Sequence, residues 1–355
     1  MGALSRRRVL AGAAAAATTA SCGLALSSAD GPAEQDPGGR RIDIHHHFTP
    51  PQWLTWAEAR GLVIAQALPW WTRWDLDAAL SAMDSAGIET AVVTAATPVL
   101  FYANRAQHRE SLTVAYQAMA DLAAAYPGRF AFFAPLPLDD LDIAVWSAGY
   151  GRRAGAVGMN AMTHDTAGRY LGDPAFDALL TELDTSPTVI NLHPADLPGT
   201  TPVTPAVPGV PGFLCDYPLA TTRAAVTMTV HRTLDRFPNL SVILPHGGGF
   251  LPYIASRFGD AGSYLQPPVD PALVTDYLHR FYYDTAAPMS PASTPTLMAT
   301  VDPAHILYGS DWPAAHTDLI TTAASDLDTD PALTATHRHG INRRNALDLF
   351  PQLNH

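Results

Sequence analysis

Five residues in this chain are of the types, and stand at the places, that a catalytic metal would need. The stretch RIDIHHHFTP, residues 41–50, ends a short apolar run in three consecutive histidines, His45, His46 and His47. Residues i and i+2 of a strand share a face. His45 and His47 therefore point one way and His46 the other. Three later apolar runs also end in one polar residue: VINLHP in His193, VILPHGGG in His246 and ILYGSDWP in Asp311. Any one of these could be a satisfied core group, and the triplet alone could be a solvated cluster. Their repetition at the ends of strand-like runs points instead to a metal site. Imidazole and carboxylate donors suit zinc, manganese or ferrous iron, and three or four such ligands with one position open make a catalytic site.

Such residues meet only if the strands that carry them share an edge. Strand-like runs occupy 41–46, 89–96, 129–137, 155–161, 188–194, 240–246, 281–287 and 305–311. Amphipathic stretches such as LDAALSAMDSAG, RESLTVAYQAMADLAAAYP and DPAFDALLTELD lie between them. Eight alternating units predict an α/β fold, a (β/α)8 barrel, whose active site lies at the C-terminal ends of the strands. A doubly wound open sheet is the alternative, but no glycine-rich phosphate turn follows the first strand. One stretch breaks the rhythm: residues 194–218 are rich in Pro and Gly and read as a long loop over the barrel mouth.

Composition narrows the chemistry. The chain has 355 residues, a net charge of −12, 47% hydrophobic and 15% charged residues. It can build a large core, and without a basic stripe nucleic acid is excluded as a partner. All 21 basic residues are arginine. With no lysine there is no Schiff base, no phosphate-loop lysine and no carboxylated lysine bridging two metals.

Residues 1–40 read as an export leader and tether, and 41–355 as the barrel domain. Arg6, Arg7 and Arg8 precede an alanine-rich run, the layout of a twin-arginine signal. This predicts passage through the twin-arginine export machinery to an extracellular or envelope location, with no integral membrane span in the mature protein. Cys22 is a candidate for lipid anchoring, and Cys215 would then have no intrachain partner.

The motifs IDIHHHFTP, GRYLGDPAFDALLTELD, VINLHP, HGGGFLPYIASRF and ILYGSDWP resemble the amidohydrolase superfamily over about residues 42–350. Within it they are similar to the decarboxylase-like branch of aminocarboxymuconate semialdehyde, γ-resorcylate and 6-methylsalicylate decarboxylases. The resemblance implies metal ligation by His45, His47, His193 and Asp311, an acid/base or substrate-contacting role for His246, and catalytic proton supply by Asp311 or His246. It implies that Arg257 binds a substrate carboxylate, in some relatives across a subunit interface, and so a homo-oligomer. One divalent ion is expected, zinc first and manganese as the alternative.

The expected activity is metal-dependent decarboxylation of a small aromatic or unsaturated carboxylic acid. The alternative is metal-dependent hydrolysis of an ester, lactone or amide, and the non-enzymatic alternative is an exported metal-binding lipoprotein. Other residues have two readings. Asp284 either orients His246 by a hydrogen bond from behind it or caps a turn. Trp70, Trp71 and Trp74 either wall an aromatic substrate or anchor the first helix. His316 reads as a loop residue.

Overall fold

Apolar runs such as IETAVVT, with β-branched residues at two-residue spacing, each form a parallel strand. The computed structural model describes residues 40–95, 104–201, 204–286, 290 and 292–354. The expected leader, its arginines and Cys22 lie outside the described residues. The strands are β1 (Arg41–His47), β2 (Ile88–Thr94), β3 (Phe130–Leu136), β4 (Gly158–Met162), β5 (Thr188–His193), β6 (Leu240–Leu244), β7 (Tyr282–Asp284) and β8 (Ile306–Leu307). They pair in sequence order, each parallel to the next. The first and last meet where the amide of Ile44 donates to the carbonyl of Tyr308 at 3.0 Å and that of Asp311 to His45 at 2.8 Å. The strands form the expected (β/α)8 barrel.

Ile42, Ile44, Val92, Phe133, Val189, Ile243 and Leu307 come from six different strands and pack in one buried cluster with Phe350 and Leu353. Non-neighbouring strands can meet in this way only inside a barrel. A larger cluster, including Val93, Phe132, Ala134 and Met119, lies between the strands and the helices outside. Those helices are capped from the sequence: Asp75, Asn104 and Asp140 each accept the backbone N–H of the third residue on.

Two local features depart from simple strand and loop patterns. The pairing of β1 with β2 advances three residues from Asp43 to His46 against two from Ala91 to Val93. This is a β-bulge. Ile42 and Ile44 face inward, so strict alternation would send His45 and His47 outward. The extra residue reverses the phase and turns them toward the barrel interior. The second departure lies in 194–218. The loop ends at Pro211, and Gly212–Val230 is a helix with Pro218 inside it. Pro218 withholds a donor from the carbonyl of Leu214 near the helix start, where the side chain is exposed and water can serve instead.

Candidate metal centre

The ends of four strands, β1, β5, β6 and β8, bring the expected side chains together. His45, His47 and His193 offer ring nitrogens that all lie within 4.8 Å of one another, and all three side chains are buried. His45, His246 and Asp311 form a second such group sharing His45. One oxygen of Asp311 lies 2.9 Å from His47 Nε2 and 3.3 Å from His45 Nε2. Its other oxygen lies 3.7 Å from His246 Nε2.

The surroundings fix which lone pairs face the centre. His45 Nδ1 is 2.7 Å from Asp284 Oδ2, and His193 Nδ1 is 2.8 Å from the carbonyl of Pro194. Both acceptors hold the proton on Nδ1, which frees each Nε2 lone pair as a ligand. Asp284, at the end of β7, thus orients the ring of His45. The expectation that it would orient His246 is corrected: it touches that residue only through the backbone, accepting its N–H at 2.7 Å. The reason is position, since the second oxygen of Asp284 is already committed to His45 at the end of β1.

The electrostatics suit a cation. Burial lowers the pKa of His193, and nearby His47 and His45 push it down further. Burial also lowers His47, with Asp311 opposing. Burial acts the same way on His45, but Asp284 and Asp311 outweigh it and raise its pKa well above the ordinary value. Burial would raise Asp311, but the three histidines around it hold it well below the carboxylate range. An ionised carboxylate among imidazoles, with His45 Nε2 buried and without a hydrogen bond, is a donor set fit for a divalent ion.

Local backbone strain places two of these groups. His246 and Asp311 have φ of 56° and 64°, left-handed values that cost non-glycine residues on the order of 1–3 kcal/mol and cluster at functional sites. Gly309 solves a different problem. A Cβ there would lie 2.9 Å from His45 Cβ and 3.1 Å from Asp284 Cβ, so only glycine lets the chain just after β8 run this close to the His45–Asp284 pair.

The three tryptophans divide. Trp71 faces the centre with its ring 5.7 Å from His47. Trp74 packs edge-on against Phe48 at 4.7 Å and is an anchor. Trp70 stacks on His316 at 4.1 Å, which ties the loop after β1 to the loop after β8. Tyr217, not singled out from the sequence, is 6.4 Å from His193. Burial, Asp196 and Asp311 push its hydroxyl up to about 12. A tyrosine in a stretch that reads as loop gives no sign of facing a metal centre. Arg257 is not brought to the centre within this chain; it is exposed on the helix Leu251–Asp260 and makes no ion pair among the described residues.

A parallel eight-stranded barrel with a histidine–aspartate centre at its mouth defines the metal-dependent (β/α)8 enzymes. Residues 42–352 match the amidohydrolase family model. The 6-methylsalicylic acid decarboxylase of Penicillium expansum is 31% identical over 326 residues, 88% of this chain and 97% of that protein. Decarboxylase yanB of Aspergillus niger is 30% identical over 331 residues, 88% of each chain. The crystal structure of a dihydroxybenzoic acid decarboxylase from Polaromonas with bound manganese and 2-nitroresorcinol superposes with a TM-score of 0.73 at 22% identity, covering 90% of this chain and 98% of that one. The chain belongs to the amidohydrolase family, in its decarboxylase-like branch.

Proposed function

We propose that this enzyme, a metal-dependent carboxy-lyase, removes CO2 from a small aromatic acid of the 6-methylsalicylate or hydroxybenzoate type. The observation that carries the reading is the His246–Asp311 pair beside the three-histidine cluster, because decarboxylation needs a proton at the carbon that loses its carboxylate. The similarity to 6-methylsalicylic acid and dihydroxybenzoic acid decarboxylases supports the substrate class.

His45, His47, His193 and Asp311 would hold one divalent ion. When bound, the ion supplies a clamp for the substrate carboxylate and an adjacent oxygen, and it draws negative charge from them. The donor set favours zinc, while the Polaromonas enzyme carries manganese. Trp71 and Tyr217 flank the centre and would hold the ring. The His246–Asp311 pair gives a proton to the ring carbon bearing the carboxylate. The C–C bond then breaks, its electron pair restores the aromatic ring, CO2 leaves, and solvent returns a proton to the pair.

Because Arg257 is exposed, a role for it at a substrate carboxylate requires a second copy of the chain. Tyr253, on the same helix, is 84% exposed, and Phe213 and Leu214 are exposed as well, so a homo-oligomer would cover apolar surface. Export through the twin-arginine route remains part of the proposal, supported by Arg6, Arg7 and Arg8. No helix among the described residues is long and apolar enough to cross a membrane.

The test is to incubate metal-loaded protein with hydroxybenzoic acids and, separately, with aryl esters. CO2 release from the acids with no acid release from the esters is the expected result. Ester cleavage without CO2 would replace this reading with a hydrolase.

A further inference from the structure

The middle histidine of the triplet takes no part in the metal centre, yet it is fully buried. The ring of His46 lies 5.0 Å from that of Trp312, and its Nδ1 is 3.0 Å from Asp43 Oδ2. Asp43 is itself fully buried and takes three further hydrogen bonds. Its Oδ1 accepts the amides of His45 at 3.0 Å and Ser310 at 2.9 Å, and its Oδ2 accepts the hydroxyl of Ser310 at 2.5 Å. Ser310 Oγ accepts the amide of Trp312 at 3.1 Å.

We propose that Asp43, His46 and Ser310 form a clamp that positions the metal ligands, with Asp43 as the positioning residue at its centre. The placement of its bonds is the argument. The β1–β2 register passes over His45 at the bulge, and the His45 amide goes to the Asp43 side chain instead. Asp43 thereby stabilises the extra residue that turns His45 and His47 inward. On the other strand, Asp311 sits in a left-handed conformation between Ser310 and Trp312. The amides on both sides of it end in the clamp, while its own amide goes to His45. One carboxylate therefore ties the bulge carrying two histidines to the turn carrying the aspartate. His46 faces away from the centre and fills the second oxygen of Asp43, which accounts for a third histidine in the run.

This inference rests on the metal centre proposed above. The test measures the Zn2+ dissociation constant by competition with a chromophoric chelator, together with the visible spectrum of the Co2+-loaded protein. Ser310→Ala removes one bond to Asp43 and the acceptor for Trp312, Ser310→Thr restores a hydroxyl, and His46→Gln probes the other arm. Folding is checked by circular dichroism. Ser310→Ala is expected to weaken Zn2+ binding about 10- to 100-fold, the usual effect of losing a group that orients ligands, and to shift the Co2+ spectrum. Ser310→Thr should recover most of the affinity, and His46→Gln should lose affinity in the same direction. Folded Ser310→Ala and His46→Gln proteins that bind Zn2+ as the wild type does would overturn the clamp alone, even if their melting temperatures fall. A wild-type chain that takes up no ion would overturn the metal centre and the clamp with it.

Discussion

Asp284→Asn changes one atom and should cost the centre a ligand. The wild-type carboxylate is fully buried and faces three donors: His45 Nδ1 at 2.7 Å on one oxygen, and the amides of His246 at 2.7 Å and Ala286 at 3.0 Å on the other. Asparagine has one oxygen and one NH2 group. With its oxygen toward His45, two buried amides lose their acceptor at about 1–3 kcal/mol each. With its oxygen toward the amides both bonds survive, and the NH2 faces His45. The second arrangement wins on that count. The imidazole must then accept at Nδ1 and carry its proton on Nε2, where the metal needs a lone pair. Metal affinity should fall about 10- to 100-fold, equivalent to about 1.4–2.7 kcal/mol. Chelator competition on folded protein measures it. Unchanged affinity in Asp284→Asn would refute the assignment of Asp284 as the group that sets the His45 tautomer.

Three further outcomes are expected. His193→Ala should lose metal and activity together, while His246→Ala should keep most of its metal and lose activity by a factor of about 10², the size of a proton-transfer contribution; metal content and rate across the two variants check this, and full metal loss in His246→Ala would make it a ligand. Elemental analysis of active protein should find one divalent ion per chain, since no lysine exists to bridge two. Replacing Arg7 and Arg8 by Lys should block export, and normal amounts of the variant outside the cytoplasm would end the twin-arginine reading.

The barrel and its rim residues were legible in the sequence because apolar strands announce themselves and the runs that carry the site end in polar residues with no apolar reason to be there. His45, His47, His193, His246 and Asp311 converge for that reason. What stayed hidden depends on three-dimensional phase. The inward turn of His45 and His47 comes from a bulge, and one extra residue leaves no mark in a run of three histidines. The partner of Asp284 is set by the distance between strand ends, which no local pattern encodes. Tyr217 reaches the centre because a helix begins at Gly212 and continues through Pro218, against the ordinary meaning of a proline-rich stretch. The tryptophans looked equivalent in sequence, and packing alone assigns Trp71 to the centre and Trp74 to the core.

The most direct test of the account is turnover of carboxyl-labelled 6-methylsalicylate and related hydroxybenzoates in D2O by the metal-loaded enzyme. The account predicts labelled CO2 and an aromatic product carrying one deuterium at the carbon that held the carboxylate, with both lost on chelation and restored by a divalent ion. A fully metal-loaded, folded protein that releases no CO2 from any member of this class of acids would contradict it.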